Sequence, residues 1–168
     1  MPVSMYEVSV PVFISMLTAM SHVLKKAQAS AKERGLEESV LVEARHAPDM
    51  LPLKNQVYIA TDMAKGCASR LAGRDVPSYQ DVEATFPDLL ARIQKTLDYL
   101  ATFEPDDMKG SEDRDITLKI GGNDMTFPGR AYVLGFVHPN FYFHVTTCYS
   151  ILRANGVKLG KADYFGQG

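Results

Sequence analysis

Cysteine is scarce in this chain: Cys67 and Cys148 are the only thiols in 168 residues. Two thiols do not make a disulfide framework, so the fold must rest on a packed core, and a reducing cytoplasm is the expected setting. An excess of one charge is also missing. Eighteen basic residues stand against twenty acidic ones, a net charge of −2, and no window is rich enough in Lys or Arg to form a stripe. Phosphate backbones and anionic lipid surfaces find nothing to hold, so neither nucleic acid nor membrane is expected as a partner. Long apolar runs are absent too. Val8 to Met20 comes nearest, but no Lys or Arg precedes it, and Thr18, Ser21, His22 and Lys25 break it. It is too short to span a bilayer and reads as the start of an amphipathic helix in a soluble protein. There is no internal repeat, phosphate-binding glycine loop, dinucleotide fingerprint, Cys-x-x-Cys pair or serine elbow. No motif assigns a reaction.

What is present is a globular balance, 46% hydrophobic and 23% charged, and a length that suits one domain over residues 1–168. Four helical patterns carry the core. From about Val8 to Arg34, Phe13, Met16, Met20, Leu24, Ala27 and Ala31 recur every three or four residues, and Gly35 ends the run. From Pro52 to Leu71, Leu53, Val57, Ala60, Ala64, Cys67 and Leu71 form one stripe, closed by Gly73. The third pattern opens at Thr85-x-x-Asp88, a capping box, and runs through Leu89, Ile93, Thr96 and Leu100 to Phe103. The fourth starts at or just before Pro139 and stops at Asn155-Gly156. Between the third and fourth, Ile116 to Ile120, Gly121-Gly122-Asn123 and Asp124 to Phe127 alternate and turn like a short β-hairpin. Such a hairpin is unstable alone and should lie against the bundle. Glu37 to Leu51 and Glu104 to Arg114 are connections. The fold class predicted is all-α: a four-helix bundle with a short β-hairpin between helices 3 and 4.

Chemistry concentrates on the fourth helix. Phe141, Val145, Cys148 and Leu152 centre its buried stripe, with His144 about 60° and Asn140 about 100° to one side. Cys148 follows His144 by four residues, so the two are neighbours on one face. His-x-x-x-His would signal zinc, nickel or iron; this chain offers Asn140-x-x-x-His144-x-x-x-Cys148, with one strong nitrogen ligand. The metal reading sets His144 beside Gln56, about 60° from the stripe centre of the second helix, or Asp62, about 180° from it, with His138 in the turn before Pro139. The other reading is a half-buried histidine with a single hydrogen bond. Both cysteines read as buried structural thiols. Arg45, four residues before Asp49, is either an anion clamp at the bundle mouth or a tie within its loop. His22 should be exposed and inert, and His46, in a loop between Arg45 and Ala47, is either a surface histidine or one that reaches a pocket. The outer face of the fourth helix, with Phe143, Thr146, Ser150 and Ala154, carries little charge. It is either covered by the hairpin and the tail Gly160 to Phe165 or used as a dimer seam.

Pro139-Asn-Phe-Tyr-Phe-His-Val-Thr-Thr-Cys-Tyr149, Ile151-Leu-Arg-Ala-Asn-Gly156 and Leu159-Gly-Lys-Ala-Asp163-Tyr resemble the C-terminal segment of a bacterial family of unknown function within the DinB/YfiT-like superfamily. Arg45-x-x-x-Asp-Met50, Gln56-Val-x-x-Ala-x-Asp62-x-Ala-Lys and Phe86-x-x-Leu-x-x-Arg92-Ile extend the likeness over nearly the whole chain. The resemblance implies a DinB-like bundle, cytoplasmic and commonly a homodimer. Its superfamily includes metal-dependent thiol transferases alongside members without known activity. The superfamily's three-histidine site is not reproduced, and His144 alone carries over. The expectation is therefore a bundle that binds a small-molecule ligand or serves structurally, with a degenerate metal site at His144. Its pocket would draw on Arg45, Gln56, Asn140, His144, Cys148 and Tyr149. The alternative is a metal-dependent thiol transferase or hydrolase using a divalent metal (zinc, nickel or iron) on His144 with Gln56 or Asp62. No catalytic residue is assigned.

Overall fold

A computed structural model describes residues 3–167. In chain order the elements are α1 (Val10–Glu33), α2 (Glu38–Val42), α3 (Leu53–Ala72), α4 (Phe86–Leu100), β1 (Asp115–Ile120), β2 (Asn123–Pro128), α5 (Gly129–Ala131), α6 (His138–Ala154) and α7 (Lys161–Tyr164). A 3-10 turn at Pro105–Met108 precedes the hairpin, and a π-type stretch at Tyr132–Val137 precedes α6. The four long helices close a ring, with α1 and α3 each packing on both α4 and α6. Their inward faces meet in one core. Phe13 and Leu17 of α1, Leu53 and Val57 of α3, Phe86 and Leu89 of α4 and Phe141 and Leu152 of α6 are all fully buried. This is the helical bundle with a small hairpin that the periodicity predicts.

Local chemistry sets each boundary. Thr85 accepts from the Asp88 backbone while the Asp88 carboxylate accepts from the Thr85 N–H, so two orphan donors at the start of α4 are satisfied reciprocally. Gly73, at φ +67°, turns the end of α3. The N–H groups of Gly73 and Arg74 then return to the Arg70 and Ser69 carbonyls. In the hairpin Gly121 and Gly122 both have positive φ, as a two-residue turn with the right twist requires. Ile116 pairs with Phe127 across the strands. Ile116 is buried, and the Phe127 ring stacks on Phe136, which stacks in turn on Tyr132. The hairpin thus leans on the bundle through the π-type stretch.

Three features depart from expectation. Helical backbone enters α6 from Gly129 rather than starting afresh near Pro139. Pro139 has no N–H, and its ring presses on the carbonyl four residues back, so the preceding turn widens into the π-type stretch. Gly129 is required at the entry, since a Cβ there would stand 1.9 Å from the Ser111 carbonyl oxygen. Secondly, the connection from Glu37 to Leu51 contains α2, which buries Leu41 and Val42. A five-residue helix is too short to show a period. Thirdly, the tail folds into α7 and packs on α1. Among the described residues no helix is long and apolar enough to cross a membrane.

Candidate functional site

His144 sits half-buried on α6, between Val145 of the core stripe and the exposed Phe143. Helix α3 runs alongside, and Gln56 of its first turn, itself buried, reaches across to His144. Gln56 Oε1 lies 2.7 Å from His144 Nδ1, and Gln56 Nε2 donates to the Leu51 carbonyl at 2.9 Å. A carbonyl only accepts, so Leu51 fixes which end of the amide carries the donors. The amide oxygen that remains can only accept, and His144 must donate from Nδ1. Burial lowers the His144 pKa, so the ring is neutral at pH 7. Its lone pair is then on Nε2. That atom makes no hydrogen bond among the described residues and touches solvent. A hydrogen-bond acceptor of fixed tautomer is therefore held on the bundle's shoulder.

Next to this relay a surface cleft of about 420 Å³ is lined by His46, Met50, Tyr142, Phe143, Thr146, Thr147 and Ser150. Met50 adjoins Leu51 in the chain and Phe143 adjoins His144, so the relay borders the cleft; the His144 and Phe143 rings meet edge to face at 5.1 Å. Two of the hydroxyls are already engaged. Thr147 donates to the Phe143 carbonyl and Thr146 bonds the Tyr164 hydroxyl. Tyr142 and Phe143 remain exposed.

Other residues singled out in the sequence do not join His144. Arg45 donates from Nη1 to the Met50 carbonyl at 2.6 Å, so the loop tie is the arrangement found. Asn140 spends its amide on the Phe136 carbonyl beside the π-type stretch. Cys148 is buried, and its thiol pKa is pushed up to about 12, so it supplies no thiolate at neutral pH. Tyr149 turns toward the α1 seam and packs against Tyr164. His138 bonds the Val8 carbonyl through Nε2 at 2.7 Å, between the rings of Phe13 and Tyr142. It anchors the segment before α1 rather than joining His144. Asp62 is held by Lys65 at 2.8 Å and by Arg92 of α4 at 3.1 Å, so its charge is spent there. Among the described residues no group of three or more His, Cys, Asp or Glu could hold a metal ion. One imidazole backed by an amide does not fit the donor set of zinc, nickel or iron. The candidate ligand set of His144, Gln56, Asp62 and His138 is corrected accordingly: only the first two meet.

Two polar centres escape sequence reasoning. Arg92, in the core face of α4, is buried, yet it reaches Asp62, Asp81 and Glu83, the Thr61 hydroxyl and the Gln80 carbonyl. Its position among Leu89, Ile93 and Thr96 marks it as an inward arginine, although nothing in the spacing names its partners. The second is Asp163. It binds Lys26 at 2.7 Å and His22 at 3.1 Å, which corrects the expectation of an inert His22.

Comparison with known proteins agrees with this architecture. Residues 5–165 match a family described as a domain of unknown function, DUF1993. A crystal structure of a DinB family member protein from Shewanella denitrificans superposes with a TM-score of 0.87 at 36% identity, covering 96% of this chain and 91% of that one. No curated protein matches. With a family match over nearly the whole length and a DinB relative of this identity, the chain belongs to DUF1993, a DinB-like family of unknown function.

Proposed function

We propose that the protein is a small-ligand-binding bundle in which Nε2 of His144 accepts a hydrogen bond from the ligand. The observation that carries this reading is the relay from the Leu51 carbonyl through Gln56 to His144 Nδ1. It holds the imidazole in one tautomer and leaves the opposite nitrogen unpaired, as a recognition atom requires. Phe143, Tyr142 and Met50 beside it offer aromatic and thioether surface. The ligand class that matches is a small aromatic or apolar body carrying a hydroxyl, thiol or amide donor. No step through a metal is derived, since the donor set does not support one.

The test is a two-bond ¹H–¹⁵N NMR spectrum of the histidines, followed by titration with simple phenols and aryl thiols. The expected result is a neutral Nδ1–H imidazole for His144 at pH 7 and shifts on binding that centre on His144 and Phe143. His144→Ala should weaken binding about tenfold, the effect of one buried hydrogen bond. An Nε2–H tautomer would overturn the reading. Elemental analysis of untagged protein after incubation with zinc, nickel and manganese checks the metal alternative, and stoichiometric metal lost in His144→Ala would revive it. The homodimer implied by the family resemblance is proposed to close on the exposed Tyr142 and Phe143 pair, so that the ligand cleft would lie at the dimer seam. Light scattering on the Phe143→Glu variant tests it, with a monomer expected.

A further inference from the structure

The α1–α6 seam is covered on its outer side by the short segment from Gly160 to Phe165. Among the described residues its one charged anchor is Asp163. One carboxylate oxygen takes Lys26 Nζ at 2.7 Å and His22 Nε2 at 3.1 Å, both from α1, and the other takes the Gly160 N–H at 2.7 Å. The Asp163 side chain is 7% exposed, whereas Lys161, Ala162 and Phe165 around it face solvent. Tyr164 supplies the second contact. Its ring walls a small apolar cavity shared with Met20, Val23, Val145, Cys148 and Tyr149, and its hydroxyl bonds Thr146. Backbone hydrogen bonds of the segment are internal, from Asp163 to Gly160, from Phe165 to Ala162 and from Gln167 to Ala162. It can therefore lift away without breaking either long helix. Val157 and Leu159, just before it, stay buried and mark the fixed side of the hinge.

We infer that the Gly160–Phe165 segment is a latch, held shut by Asp163 on Lys26 and His22, whose release uncovers Cys148 at the α1–α6 seam. Structure held by one carboxylate and one ring belongs to the low-stability end of a fold and opens locally while the core stays folded. Closed, the latch keeps the Cys148 thiol away from electrophiles. Open, it lays the thiol side of α6 bare beside Tyr149.

Alkylation by N-ethylmaleimide on the full chain under native conditions tests this, with mass spectrometry resolving Cys148 from Cys67. Cys67 is fully buried on α3 and reports global unfolding in the same sample. Asp163→Ala removes the anchor, and Lys26→Ala weakens it from the α1 side without touching the latch. Both should speed Cys148 labelling, Asp163→Ala by about tenfold, with Cys67 unchanged. The inference also stands if Asp163→Ala loosens the whole fold while Lys26→Ala accelerates Cys148 alone. It is overturned if Cys148 labels at the wild-type rate in both variants. It is equally overturned if the two cysteines accelerate together in both.

Discussion

His144 and Gln56 were each legible as shoulder residues, because helical geometry alone places them about 60° from the centre of their stripes. Two shoulders on adjacent helices of a bundle meet, and these do, at 2.7 Å. The Leu51 carbonyl that orients the pair was not legible, since a backbone oxygen in a loop leaves no trace in periodicity. Asp62 shows the complementary limit. Its angle put it opposite the stripe and it is indeed partly exposed, but the arginine that holds it comes from another helix. The relay makes a specific prediction. Gln56→Leu keeps the volume of the buried side chain while removing the acceptor for Nδ1–H and the donor to Leu51. A half-buried imidazole left without its partner costs about 1 to 2 kcal/mol, to be read from urea unfolding. The same variant should lose the single-tautomer signature of His144 in ¹⁵N spectra. His144→Gln should cost less than Gln56→Leu, because a second amide can still bond Gln56.

At the level of elements, the capping box at Thr85 and the glycine stops at Gly73 and Gly156 are legible in the sequence because they act within a few residues of chain. Thr85→Ala should lower stability by about 1 kcal/mol, measurable as a shift in urea midpoint without a change in slope. What the sequence hid were elements too short for a period and the entry to α6, where a proline and a glycine act together. Pro139 reads as a helix start, yet here it widens a turn that was already helical. Gly129 reads as a loop glycine, yet its φ is ordinary and the demand on it is space. Its Cα rests against the Ser111 carbonyl, so Gly129→Ala must push a backbone oxygen aside. The expected loss is about 3 kcal/mol, the upper range for overpacking. Gly135→Ala is the control. A Cβ there meets nothing within 4 Å, so that variant should be neutral or slightly stabilising.

For the whole molecule, burial and charge combine into an acid response whose sign follows from two half-buried histidines. His138 and His144 both have pKa values lowered by burial. As pH falls below the free histidine value of about 6.5, the unfolded chain takes up their protons before the folded chain does. Their contribution to stability is therefore full above about pH 6.5 and declines below it, down to the folded pKa values, where the loss is complete. Asp163 acts in the same direction but later. Its donors Lys26 and Gly160 depress its pKa to about 2, so its contribution is full above the free carboxylate value of about 3.9 and is lost as pH falls toward 2. Two separate declines result, one from histidine and one from the latch. Urea midpoints measured from about pH 8 to pH 5 for wild type and His144→Gln isolate the first. Wild type should fall over this range, and the variant should fall less because one of its two half-buried histidines is gone. Identical slopes would mean that His144 gains a proton as easily in the folded chain as in the unfolded one, so that burial beside Gln56 does not hold the ring neutral below about pH 6.5.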